Sequence, residues 1–208
     1  MRNLSSVDRV VTLGESANGA QPLFVEFVNT LHWFDGAPVE LLGDEPALSA
    51  WLAEHDLPTV IDSASLAHLL ALRLHVRAMT EALAGGQPIA ASDLDAVQRA
   101  LAHPTGRLVL RTAGNERPRL AFEADEQSDS ATFRVALSLA RFLEAGERHR
   151  LKLCANPGCG FAFLDSSMNN TRRWCFMRFC GNRDKARAFR RRKQAGLGRK
   201  RPSRTNPA

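Results

Sequence analysis

The sequence predicts a mostly α chain with short β-hairpins, an α+β protein with a helical N-terminal part and a small C-terminal module. Three observations carry this. Helical periodicity dominates residues 23–149, and all four cysteines fall between Cys154 and Cys180. Charge also divides near residue 150. Residues 1–149 hold 12 Lys/Arg against 20 Asp/Glu, a net of −8, and residues 150–208 hold 16 against 2, a net of +14. Such asymmetry points to a polyanion partner for the basic part; a merely solubilising tail is the alternative.

The first twenty residues, with "GESANGAQP", read as a loop or arm. Pro22 can open a helix, its missing N–H costing nothing at the first turn. "LFVEFVNTLHWF" then reads as a helix apolar nearly all round, with Phe24, Phe27, Val28, Leu31 and Phe34. "DEPALSAWLAEH" supplies a second helix with Asp44 as cap and Leu48, Trp51 and Leu52 inward. In "SLAHLLALRLHVRAMTEALAGG" the stripe runs through Leu66, Leu69, Leu70, Arg73, Leu74, Arg77 and Leu83, and Gly85-Gly86 ends the helix. "SDLDAVQRALAHP" has Ser92 at an N-cap position and stops before Pro104. "RLVLRTA" and "PRLAFEA" alternate across "GNERP", predicting the one hairpin of this part. "SATFRVALSLARFLEAGE" returns to helix through Phe133, Leu137, Ala140 and Leu143. The division expected is 1–149 helical, 150–194 cysteine module, 195–208 basic disordered tail.

The cysteines are spaced C-x4-C, fifteen residues, C-x4-C. This suits four thiolates, Cys154, Cys159, Cys175 and Cys180, on one structural Zn2+; four thiolates leave no position for a catalytic water. Two disulfides and a redox role for labile thiolates are the alternatives. In "CANPGC", Pro157 presets a turn and Gly158 readily takes positive φ. In "CFMRFC", cysteines five apart on a continuous helix would lie about 140° from each other. A break is therefore expected near Cys180, with Gly181 permitting it and Asn182 capping a new helix. Its N-terminus, with Arg172, Arg173 and Arg178, would offset the negative tetrathiolate centre. With strands at "RLKLC" and "GFAFLD" before it, the module reads as a treble-clef-like zinc finger. Phe161, Phe163, Trp174, Phe176 and Phe179 form its small core, and Phe189 points back toward it.

"RRWCFMRFCGNRDKA" closely resembles the signature of the CGNR zinc-finger family, bacterial proteins regarded as transcription regulators. "FVEFVNTLHW", "ALSAWLAEHDL" and the Leu/Arg helix resemble the ABATE domain that usually precedes that finger. The resemblance covers nearly the whole chain, and it implies DNA as the partner more than charge does.

From Arg183 to Arg204 there are 11 Lys/Arg and one acid. Arg183, Arg187, Arg190 and Arg191 recur at helical spacing as one cationic face, with Lys185 beside it. These five, with Arg172, Arg173 and Arg178, are the candidate nucleic-acid contacts. RNA, or an acidic protein surface bound by an adaptor, is the second reading. Asn29, Trp33, Arg73 and Arg77 are candidates for a small-molecule effector pocket, or else satisfy neighbouring backbone and acids. The six histidines are scattered and no nucleophile motif appears, so an enzyme is not expected. No apolar run reaches the roughly 18–20 residues of a membrane span, and no signal-peptide pattern opens the chain. The expectation is a cytoplasmic, nucleoid-associated homodimer. Removal of zinc should unfold the last sixty residues and leave the helical part largely intact.

Overall fold

The computed structural model describes residues 21–57, 63–102, 106–111, 119–124 and 130–195. The opening arm over residues 1–20 and the basic tail after Ala195 lie outside the described residues. In chain order the elements are α1 (Leu23–Asn29), β1 (Leu31–Phe34), β2 (Ala37–Glu40), α2 (Glu45–Glu54), α3 (Ser63–Ala84) and α4 (Ala91–Leu101). Next come β3 (Gly106–Arg111), β4 (Arg119–Ala124), α5 (Ala131–Glu144), β5 (Leu151–Leu153), β6 (Ala162–Leu164) and α6 (Asn182–Gln194). The strands form three separate antiparallel pairs. Among the described residues no helix is long and apolar enough to cross a membrane.

The first correction concerns α1, which stops at Asn29 where a helix through Phe34 was expected. Leu31–Phe34 instead pair with Ala37–Glu40, Trp33 opposite Pro38 and Phe34 opposite Ala37. The turn is Asp35-Gly36, with φ of +52° and +83°. Positive φ at both central residues is what a two-residue hairpin of native twist demands, and Asp-Gly is a preferred pair for it. Thr30 ends the helix: its hydroxyl donates to Phe27 O at 2.6 Å and its own carbonyl accepts from Leu41 N at 2.8 Å. Among the described residues the N-terminal part therefore carries two hairpins where one was expected.

The other helices stand close to their expected places with rotated faces. Asp44 caps α2, its Oδ1 accepting from Ala47 N at 2.8 Å, and Leu48, Trp51 and Leu52 are buried. On α3 the buried line runs Leu69, Leu72, Arg73, Val76, Arg77, Met79 and Thr80, while Leu74 is 61% exposed. Gly86, at φ +65°, follows its end. α4 begins one residue before Ser92, which provides no cap; Ala90 holds that position. On α5, capped by Ser130, the buried residues are Phe133, Val135, Ala136, Leu139 and Phe142; of the expected stripe Phe133 is buried, Leu143 packs at the core's edge, and Leu137 and Ala140 are only half-buried. A stripe read with a rigid i, i+3, i+4 template shifts when neighbours approach on two sides, as α1 and α4 do here.

The main core joins α1, α2, α3, α4 and α5 through Phe24, Phe27, Val28, Leu48, Trp51, Val76, Met79, Val97 and Leu139. It also takes in Leu151 of β5 and Ala162 of β6. Packing thus crosses the division at residue 149/150, and the strands of the cysteine module are partly built on the helical core. A second, smaller cluster gathers the four cysteines with Phe161 and Phe163, flanked by Trp174 and Phe176. Phe179, expected in this cluster, is 40% exposed.

Candidate metal centre and basic helix

β5 and β6 pair with Leu151 opposite Leu164 and Leu153 opposite Ala162, so the chain returns beside Cys154. Cys154 N donates to Phe161 O at 2.8 Å, and the intervening Asn156–Cys159 turn closes with Cys159 N on Asn156 O at 3.0 Å. This turn is the expected Asn-Pro-Gly reversal, with one correction. Gly158 keeps a negative φ, and the left-handed residue is Gly160 at +67°. Gly158 instead packs closely: a Cβ there would stand 3.2 Å from Gly36 N, in the tip of the β1–β2 hairpin, and would press on that backbone.

The second pair is also arranged differently from expectation. The break falls at Phe176, which is extended at φ −137° and ψ 126°, immediately after Cys175. A π-turn over Met177–Gly181 then runs directly into α6, with Cys180 in it. Asn182 is already helical and does not cap; its side-chain Nδ2 donates to Arg178 O at 3.0 Å. Gly181 has ordinary helical angles and makes room for the Met177 side chain. An extended residue plus a wide turn achieves what a helix of 100° per residue cannot, bringing two cysteines five apart to one point.

The four sulfurs all lie within 4.8 Å of one another and all four residues are buried. Cys159 and Cys175 Sγ are 3.6 Å apart, as are Cys175 and Cys180 Sγ. No disulfide is present. Four ligands at a Zn–S length of about 2.3 Å stand roughly 3.8 Å apart on a tetrahedron, whereas a disulfide needs about 2.05 Å. The sulfur set therefore fits one tetrahedral zinc. Charge leads to the same conclusion. Shared hydrogen bonds with Cys154 hold the Cys159 and Cys175 thiols far above their ordinary range, while bonds from the neighbouring thiols, Cys159 first, lower Cys154 to about 7. Cys180 is lowered by its bonds to Cys154, Cys159 and Cys175, with help from Asn156. Four thiols this close do not all ionise without a cation among them, and a divalent ion supplies that charge.

Asn156 was read only as a turn residue, and its larger role escaped the sequence. It is buried, its Nδ2 donates to Cys180 Sγ at 3.3 Å, and its Oδ1 accepts from Arg187. The arginines expected to offset the centre act elsewhere. Arg172 donates to the backbone oxygens of Trp174 and Cys175 and lies over the Phe163 ring. Arg173 and Arg178 lie over Trp174 and Phe179 respectively.

On α6 half of the expected cationic face is turned inward, while Arg190 and Arg191 stay exposed as expected. Arg183 donates to Asp35 Oδ1 at 2.8 Å and stacks on Phe34, and Arg187 reaches Asn156. Both are turned toward the body. Lys185, Phe189, Arg190, Arg191, Arg192 and Lys193 are exposed, and Phe189, expected to point inward, is 62% exposed.

Of the four residues considered for an effector pocket, Asn29, Trp33 and Arg77 meet the metal module, and Arg73 is taken up within the N-terminal unit. Asn29 Nδ2 donates to Ala162 O and its Oδ1 accepts from Ala162 N, each at 2.9 Å. Arg77 donates to Leu31 O at 2.9 Å and Gly160 O at 2.8 Å, pairs with Glu81 at 2.9 Å, and lies over the Trp33 ring. Trp33 N donates to Cys159 O at 3.0 Å. Arg73 donates to Thr30 Oγ1 at 2.9 Å and Glu40 Oε1 at 2.7 Å. These bonds go to protein partners; Arg73 Nε alone among them is buried without one. A separate groove of about 470 Å³ lies between α1 and α5, lined by Leu23, Leu137, Phe142 and Leu164 with Arg134 and Arg141.

Residues 21–146 match the family described as "Putative stress-induced transcription regulator", ABATE, and residues 150–193 match the CGNR zinc finger. No curated protein matches the chain.

Proposed function

The chain belongs to the ABATE family and ends in a CGNR zinc finger; from that premise we propose that it is a DNA-binding transcription regulator. The observation that carries the proposal is the outward face of α6. Five cations, Lys185, Arg190, Arg191, Arg192 and Lys193, stand exposed on a helix rooted in the zinc site, and the helix's one acid, Asp184, is half-buried. A rigid cationic helix suits the phosphates flanking a major groove. The N-terminal unit serves as a ligand-sensing or dimerisation module in a cytoplasmic, nucleoid-associated homodimer. The α1–α5 groove offers space for a small effector that Asn29, Trp33, Arg73 and Arg77 do not.

The test is selection of fragmented genomic DNA on the zinc-loaded protein near physiological salt, with sequencing of the bound fraction. A shared motif is the expected result. With five to seven phosphates neutralised, the log–log salt slope should be roughly −4.5 to −6. Even recovery across the genome, or a slope near zero, would remove the proposal.

Exposed Phe179 and Met177, beside Arg178, favour a second reading. Aromatic and cationic groups together can stack unpaired bases, so RNA is the alternative ligand, followed by an acidic protein surface. Tighter binding to single-stranded RNA than to duplex DNA of the same sequence would select it.

A further inference from the structure

Phe189 is a large apolar side chain exposed on a helix whose neighbours are almost all cations. Its direction is set by the inward residues. At 100° per residue it lies about 140° round α6 from the mean direction of Arg183 and Arg187, the two that dock on Asp35 and Asn156. Lys185, Arg192 and Lys193 fall within about 60° of it on either side. The outward face is therefore a phenyl ring bracketed by cations, and it bears no acid.

Resting on the DNA-binding reading above, we infer that Phe189 is a specificity-determining residue of α6, contacting the C5-methyl group of thymine on the major-groove floor. A helix lying in that groove sends its outermost side chains to the base edges and its flanking ones to the two phosphate strands. Lysine and arginine suit the phosphates. A phenyl ring has no hydrogen bond to offer a base edge, and the thymine methyl is the apolar group the major groove displays. An exposed phenyl group on a free surface contributes nothing to folding, whereas against that methyl its apolar surface leaves water on binding.

The test uses the full-length zinc-loaded protein and a duplex pool with a randomised centre. Sequences enriched by the native protein are then prepared with thymine or with deoxyuridine, which lacks only the methyl. The native protein should bind the uracil forms roughly three- to fourfold more weakly at the contacted step. Phe189→Ala should bind both forms alike, with zinc content and salt slope unchanged, and Phe189→Leu should keep part of the discrimination. Uracil-insensitive binding by the native protein would overturn the inference while leaving DNA binding in place. So would persistent discrimination by Phe189→Ala, or a change of oligomeric state in that variant with discrimination intact. Failure to enrich any duplex would remove the DNA-binding reading and this inference together.

Discussion

The side-chain amide of Asn29, at the end of α1, holds both backbone polar groups of Ala162 in β6, 133 residues later, at 2.9 Å each. Asn29 is 4% exposed, so no water substitutes for it. Through this contact and the neighbouring bonds of Arg77 and Trp33, the helical unit and the zinc module share one buried seam. Replacing Asn29 by Leu leaves a buried donor and acceptor unpaired, and should cost about 2–4 kcal/mol in a thermal or urea melt. A loss below about 0.5 kcal/mol would mean that the seam is not a structural bond.

Zinc removal should reach beyond the last sixty residues. Leu151 and Ala162 belong to the main core, and Arg77 and Asn29 lose buried partners if β5, β6 and the Asn156–Cys159 turn come apart. Chelation, or Cys154→Ser, should therefore lower the melting temperature of the helical unit as well as unfold the finger. Far-UV circular dichroism during chelator titration checks this; an unchanged helical transition would restore two independent parts.

Charge reversal on the two faces of α6 should separate two effects. Arg192→Glu, on the outward face, should weaken DNA binding and reduce the salt slope by about 1, with zinc retained. Arg187→Glu removes the donor to Asn156 Oδ1, and Asn156 in turn touches Cys180 Sγ, so zinc should be held less tightly. Zinc affinity by competition with a chromophoric chelator reads the difference.

Gly160 should tolerate no side chain. It sits at φ +67°, and a Cβ would stand 2.5 Å from Trp33 Cε3. Gly160→Ala should cost about 1–3 kcal/mol of stability through backbone strain and a displaced indole. A stability within 0.5 kcal/mol of the native protein would contradict this.

His55 makes stability depend on pH. Its Nδ1 lies 2.7 Å from Trp51 O and its Nε2 2.9 Å from Glu26 Oε2, so both ring nitrogens face acceptors. Burial opposes the charged form, but the bonds to Glu26 and Trp51 outweigh it and raise the pKa above the usual histidine value. A raised folded-state pKa gives stability that is full below the unfolded value, about 6.5, and is lost as pH rises through the folded one. Melting temperature should therefore decline through the region above pH 6.5, and His55→Gln should flatten that limb.

Local signals told a good deal here. Asp44 and the Gly85-Gly86 pair mark helix ends by chemistry carried in a few adjacent residues, and these marks hold, whereas Ser92 does not cap α4. The Asp35-Gly36 pair was an equally local hairpin signal, but the apolar run around it resembled a helix of uniform burial. Periodicity cannot distinguish a short buried strand from buried helix, and α1 was extended over the hairpin for that reason. The contacts of Asn156 and Asp35 gave no signal, since the partners Cys180, Arg187 and Arg183 lie far along the chain.

By itself the sequence determined the helical N-terminal part, the four-thiolate set and the basic helix. Cysteine spacing, capping residues and charge density are properties of short stretches, and they mean the same thing in any context. Only the tertiary structure decided which face of α6 is free. Arg183 and Arg187 are spaced like any cationic stripe, and their inward direction follows from Asp35 and Asn156 being brought beside them. The same closeness turned Asn29 and Arg77 from pocket candidates into a seam, because a buried polar group takes whichever partner the fold sets within about 3 Å.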